Sequence, residues 1–186
     1  SAIVHFEAGG RRINLIDTPG SPDFAGRALS VLEAVETVAV VVSAVDGVEP
    51  VTQRMMEFAR DRGLCTLIII NKIDSRDAHT ARVLADLRET FGRECLPLNL
   101  PAEGGRSVVD CFFAPGDANP DFSSVDAAHT EIIDQVVEVD EKLMALYLEQ
   151  GEELTPDQLH DPFEQALGEG HLTPVCFVSA ETGAAV

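Results

Sequence analysis

Three short stretches of this chain combine residue types suited to holding a phosphorylated nucleoside. The first is Asp17-Thr18-Pro19-Gly20, with Ser21 directly after it. An aspartate at the end of a strand can hold a water on Mg²⁺, because hard cations take oxygen ligands. Gly20 can bring a backbone N–H against a terminal phosphate with no Cβ in the way. The second stretch is Asn71-Lys72-Ile73-Asp74, 54 residues further on. A carboxylate at Asp74 can accept from both the ring N–H and the exocyclic amine of guanine, a donor pair that adenine does not present. Asn71 can tie neighbouring loops to the base, and the stem of Lys72 can lie along the ring. The third is Ser179-Ala180, whose backbone N–H can meet the guanine O6. Taken singly, each is better explained as an ordinary turn. The second gains weight from the apolar run Leu67-Ile68-Ile69-Ile70 before it.

Alternating strands and helices must deliver these residues to one place. Residues 2–7 and 11–17 read as two strands joined at Gly9-Gly10, a hairpin signal. A helical pattern runs from Phe24 to Glu36, with Leu29, Leu32 and Val35 as its apolar contacts. Residues 37–44 are continuous and β-branched, which predicts a strand covered on both faces. A helix over 50–62 opens at Pro50 and stops at Gly63. Residues 64–70 form a second buried strand, and 77–91 a helix turning Val83, Leu84, Leu87 and Phe91 inward. This alternation implies an α/β fold with a mostly parallel sheet. Ligands of such sheets bind beyond the carboxyl ends of the strands. Asp17, ending what reads as a buried strand, is therefore expected on one rim with Ala44-Val45-Asp46 and Asn71.

Composition then changes. Between Ser107 and Gly170 stand sixteen Asp and Glu against one basic residue, Lys142. A Pro/Gly/Asp-rich loop (115–121) leads into a stretch where Ile132, Val136, Val139, Leu143 and Leu146 hold helical spacing, with carboxylates on the other faces. A short helix starts near Thr155-Pro156, and residues 173–180 return to a buried strand. The pattern is an acidic helical insertion within an α/β domain. Boundaries fall at 1–100 for the α/β core, 101–172 for the insertion and 173–186 for the return to the last strand. A formal charge of −19 argues against an independent binder of phosphate backbones. No apolar run reaches the roughly 18–20 residues a membrane-spanning helix needs. Cys65, Cys95, Cys111 and Cys176 form no C-x-x-C pair and read as reduced interior thiols, the pattern of a cytoplasmic protein. His79, His129, His160 and His171 show no metal-ligand spacing and read as surface or capping residues.

The order "DTPG", "NKID", "SAET", each after a strand, resembles the GTP-binding domain of translational GTPases. The likeness is to elongation factor G and bacterial elongation factor G-like proteins: "DTPGSPDF" is similar to that family's DTPGHVDF. "VVEVDEKLMALYLEQGEELTPDQL" resembles its inserted subdomain, which elongation factor Tu lacks. The resemblance implies a P-loop GTPase-type fold and GTP or GDP with Mg²⁺ as ligands. Asp17 would reach Mg²⁺ through water, and Thr18, Pro19, Gly20 and Ser21 would sense the γ-phosphate. Asn71, Lys72, Ile73, Asp74, Ser179 and Ala180 would select guanine. The implied partner is the ribosome, including the large-subunit stalk through the acidic insertion.

Two departures qualify the likeness. No G-x-x-x-x-G-K-[ST] loop is present, since the only lysines are Lys72 and Lys142. The chain therefore reads as a fragment beginning after the first switch, with Ser1 a cloning or cleavage remnant and the first strand and phosphate loop missing. As such it is expected to be inactive alone and to bind GTP or GDP only at millimolar levels. Second, Ser21 stands where the family has a histidine that orients the attacking water, and a hydroxyl is short for that task. The leading reading is a GTPase acting on the ribosome. The rival is a GTP-dependent switch without efficient hydrolysis. An unrelated flavodoxin-like domain requires the three motifs to coincide by chance.

Overall fold

The computed structural model describes residues 2–116, 118–150 and 154–186; Ser1, Asp117 and 151–153, including the expected remnant at Ser1, lie outside the described residues. The chain divides into two units, residues 1–36 and 37–186.

In the first unit, β1 (Ala2–Ala8) and β2 (Arg11–Asp17) pair antiparallel, with Ala2 opposite Asp17. Gly9 and Gly10 both take positive φ, 57° and 72°. Such a pair suits the two-residue turn whose twist matches the flanking strands. Both strands are exposed along almost their whole length, with only Ile16 half-buried. The expected burial of residues 11–17 does not hold, because the pair forms a two-stranded sheet and not part of a larger one. Pro22 then opens a 3₁₀ turn, and α1 follows over Ala25–Leu32. This helix ends four residues short of the expected Glu36. Its last turn is closed by an i→i+3 bond from Ala34 N–H to the Val31 carbonyl, at 2.9 Å. Ala25, Ala28 and Leu32 are its buried residues, and Val35 lies beyond its end.

The second unit is built on a parallel sheet in the order β3-β4-β8-β5. Its strands are β3 (Thr37–Ser43), β4 (Cys65–Asn71), β5 (Cys95–Pro97) and β8 (Thr173–Phe177). Register aligns Ser43 with Asn71 and Ile70 with Phe177, so three strands end at one rim. Ile68, Ile70, Val175 and Phe177 at the sheet centre are fully buried. Burying each such side chain stabilises by about 1.5–3 kcal/mol. Pro50 opens α2 (Pro50–Asp61), and Gly63 (φ 63°) follows its end. In α3 (Thr80–Phe91) the four expected residues, Val83, Leu84, Leu87 and Phe91, are the buried ones. At β3 the sequence expectation fails in part. Val38, Val40 and Val42 are buried, but Thr37, Ala39 and Val41 are exposed, so one face only is covered. Among the strands of the described residues β3 pairs with β4 alone and stands at the edge of the sheet.

The acidic region brings two elements that the sequence pattern does not reveal, β6 (Asn99–Ala102) and β7 (Ser107–Asp110), paired antiparallel. Beyond them, the helical stretch divides into α4 (Val125–Val137) and α5 (Glu141–Gln150). The Asp140 carboxylate accepts from Lys142 N–H (2.7 Å) and Leu143 N–H (3.1 Å), satisfying the start of the second helix. In α6 (Pro156–Gly168), Thr155 and Gln158 form a capping box. Ile132, Ile133, Val136 and Leu159 pack with Leu96 and Leu172, so the insertion shares its core with β5 and the residue that leads into β8.

Candidate functional site

The carboxyl ends of β3, β4 and β8 carry the second and third motifs. Asn71 is the last residue of β4, and its Oδ1 accepts two backbone N–H groups: Lys72 at 2.7 Å and Ala180 at 3.0 Å. One side-chain oxygen thus joins segments more than a hundred residues apart. Lys72 takes φ 66°, the left-handed region, where a Cβ costs roughly 1–2 kcal/mol. This turn drops the chain off the strand. It buries Ile73, at 2 % exposure, and leaves Asp74 half-buried at the rim. Ile73 N–H donates to the Val178 carbonyl at 3.4 Å, a second tie between the loops. Among the described residues the Asp74 carboxylate has no hydrogen bond or ion pair, so both its oxygens remain available. Lys72 Nζ lies 3.8 Å from Asp46 Oδ2, an exposed pair at the end of β3. In that turn Ser43 Oγ accepts from the N–H groups of Val45 and Asp46.

Ser179 is fully buried, and its Oγ accepts from Thr182 N–H at 3.1 Å. Its own N–H donates to the Ala184 carbonyl, and its carbonyl accepts from Gly183 N–H. The loop after β8 is therefore held by its own hydrogen bonds. Ala180 is exposed, but its N–H is already donated to Asn71, so meeting a base oxygen requires that bond to be shared or exchanged. The residues brought together here are Asn71, Lys72, Ile73, Asp74, Ser179 and Ala180. Among them the Asp74 carboxylate is placed to accept two N–H donors at the rim.

The first motif belongs to the first unit. Asp17 ends β2 and is exposed, Thr18 and Pro19 are half-buried, and Gly20 and Ser21 are exposed. Open space surrounds the position a Cβ on Gly20 would take. Ser21 is extended (φ −68°, ψ 137°), and its carbonyl accepts from Phe24 N–H at 2.9 Å. The acidic Asp17 suits a cation held through water.

All four cysteines are free. Burial chiefly, with the charge of Glu94 adding, pushes the Cys95 thiol up to about 12; burial likewise raises Cys111 to about 11, and Cys176. His129 Nδ1 bonds the Cys111 carbonyl at 2.8 Å. Among the described residues no group of three or more His, Cys, Asp or Glu is placed to hold a metal ion, and no helix is long and apolar enough to cross a membrane. Sequence reasoning missed Asn99, at the start of β6. Its Nδ2 donates to the Phe177 carbonyl (3.1 Å), and its Oδ1 accepts from Phe177 N–H (2.7 Å). No local pattern marks a lone asparagine for that task.

Comparison with known proteins gives one family. The profile of the elongation factor Tu GTP-binding domain matches residues 1–186. An elongation factor G-like protein of Thermotoga maritima is 31% identical over 194 residues, covering 98% of this chain and 28% of the relative. Peptide chain release factor 3 of Streptococcus pyogenes is 30% identical, covering 98% and 35% respectively. The oxytetracycline resistance protein of Streptomyces rimosus is also 30% identical, over 98% and 27%. A crystal structure of a protein from Thermus thermophilus superposes with a TM-score of 0.82 at 33% identity, covering 97% of this chain and 29% of that one. The chain spans between about a quarter and a third of the length of these relatives.

Proposed function

The chain belongs to the elongation factor Tu GTP-binding domain family, and we propose that its rim at Asn71–Asp74 and Ser179-Ala180 reads the guanine base of GTP or GDP. The observation that carries this reading is the Asn71 bridge, which joins the two loops through one oxygen while Asp74 keeps a carboxylate without a partner among the described residues. Asp74 would accept from the two N–H donors of guanine, Lys72 would cover a face of the ring, and Ala180 N–H would meet O6. Asp17 would hold Mg²⁺ through water, with Thr18, Pro19, Gly20 and Ser21 beside the γ-phosphate. Mg²⁺, when bound, neutralises phosphate charge.

At the level of the whole protein, the reading is a GTPase of the elongation factor G-like kind. It would work on the ribosome in the cytoplasm, with residues 101–172 as an inserted subdomain facing the large-subunit stalk. Relatives named as an elongation factor G-like protein and a peptide chain release factor support a translational role. Ser21, in place of a histidine, favours a second reading, a GTP-dependent switch with inefficient hydrolysis; ribosome-stimulated phosphate release separates the two. Base reading is tested by Asp74→Asn in the full-length protein. An amide offers one acceptor and one donor pair, so preference should move from GDP toward XDP. Equal GDP affinity in wild type and variant, measured by calorimetry, would refute the assignment.

A further inference from the structure

The β6–β7 hairpin lies beside the loop after β4 at its turn and beside the end of β8 at its start. At its turn, Gly104 and Gly105 take φ 69° and 76°. A Cβ on Gly105 would stand 1.9 Å from the Ile73 carbonyl oxygen and 3.2 Å from Asp74 N, so only glycine lets the turn seat on this loop. A Cβ on Gly104, one residue earlier, would meet nothing within 4 Å. The turn is held in place from the other side. Asp121 Oδ1 accepts from Gly104 N–H at 2.9 Å, and its Oδ2 from Gly105 N–H at 3.0 Å. Asp121 N–H in turn donates to the Pro101 carbonyl on β6 at 2.7 Å. At the other end of β6, the paired bonds of Asn99 fasten the hairpin to Phe177, two residues before Ser179.

We propose that this hairpin is a positioning device for base recognition: its turn, clamped by Asp121 and seated on Ile73 through Gly105, sets where Asp74 meets the base. The proposal rests on the guanine reading of Asp74 and assigns that reading a support outside the motif. A carboxylate accepting two N–H donors at once tolerates little displacement, because hydrogen bonds weaken steeply away from their preferred distance and angle. Asp74 is half-buried and lacks a side-chain partner among the described residues, so no side chain of its own loop fixes the carboxylate. Ile73 is the adjacent anchor, and the hairpin turn bears directly on its carbonyl. Gly105 and Asp121 are positioning residues, since neither is placed to touch the base.

The two glycines supply a matched experiment in the full-length protein. Gly104→Ala and Gly105→Ala carry the same left-handed strain in the same turn, but only the second drives an atom into Ile73. Affinities for GDP and IDP are measured by calorimetry; IDP lacks the exocyclic amine that one Asp74 oxygen would accept from. Gly105→Ala should weaken GDP roughly tenfold or more, the equivalent of about 1.4 kcal/mol, while IDP, which keeps only the ring N–H, loses less, so the preference for GDP narrows. Gly104→Ala should leave the preference within about twofold of wild type. Asp121→Ala, which loosens the clamp without adding bulk, should erode the preference in the same direction; if Gly105→Ala does not fold, this variant decides. Overturning results are equal effects of the two glycine variants, parallel losses for GDP and IDP, or an unchanged preference in Asp121→Ala. A wild type that does not prefer GDP to IDP overturns the guanine reading itself and the proposal with it.

Discussion

Replacing Asn71 by alanine tests whether one side-chain oxygen joins the two loops. In the native chain Oδ1 accepts from Lys72 N–H at 2.7 Å and from Ala180 N–H at 3.0 Å. Both residues are exposed, so water can take over each amide when the oxygen is removed. A net hydrogen bond contributes about 0.5–1.5 kcal/mol, which puts the loss from two such bonds toward the lower half of 1–3 kcal/mol. For a chain of this length each kcal/mol moves the melting temperature by about 2–4 °C. Asn71→Ala should therefore lower it by roughly 2–8 °C. Asn71→Asp keeps an acceptor in the same place and should stay within about 0.5 kcal/mol of wild type. Calorimetric melts of the three proteins give the energies, and amide exchange at Ala180 gives the location. Faster exchange is expected in the alanine variant only. Equal losses in both variants, or unchanged exchange at Ala180, would show that the oxygen bridge does not hold the loops.

Three further outcomes follow from particular residues. Lys72→Gly removes left-handed strain of about 1–2 kcal/mol against an added chain-entropy cost of about 0.5–1 kcal/mol. Denaturation should show a small gain in stability and, if the Lys72 stem covers the base as proposed, calorimetry should show nucleotide affinity of the full-length protein falling. The Cys95 thiol, pushed up to about 12 by burial, keeps its proton in the folded state where the unfolded chain loses it near 9. Stability from this group is complete below pH 9 and declines from there toward 12; a Cys95→Ala variant followed by denaturant midpoints should show a shallower decline. Ser21→His in the full-length protein should raise ribosome-stimulated phosphate release if an imidazole is what the position lacks; fast wild-type turnover slowed by the substitution would show that a neighbour such as Asp23 already performs the task.

What could be read from the sequence followed the length of each signal. The runs at 37–44 and 64–70 are long, apolar and bounded, and both are strands. Val83, Leu84, Leu87 and Phe91 repeat at helical spacing, and all four are buried. Burial of β3 was overestimated because an apolar run does not distinguish a central strand from an edge strand. The same limit applies to β2, whose alternate apolar residues stay exposed in a two-stranded sheet. The break between α4 and α5 was hidden because apolar spacing continues across Asp140, while the interruption comes from its carboxylate capping the next helix. β6 and β7, at four residues each, are too short to leave a pattern. Among the site residues, Asn71, Lys72, Ile73 and Asp74 were legible as a group. The oxygen bridge from Asn71 to Ala180 was anticipated only as a general tie between loops.

The support of the site lies where local sequence carries least information. A parallel sheet stops giving its strands partners at the rim, and there backbone N–H and C=O groups still need partners. Here carboxamides and carboxylates take over from strand pairing. Asn71 accepts two amides, Asn99 exchanges both its polar atoms with the Phe177 backbone, and Asp121 accepts two amides of the β6–β7 turn. All three are short side chains with little rotamer entropy to lose, and each fastens segments distant in sequence. Because each acts across the fold, no window of neighbouring residues reveals it, whereas the motif at 71–74 is contiguous and declares itself. The contiguous residues offer the contacts that would choose the base, and the scattered ones hold those contacts in place.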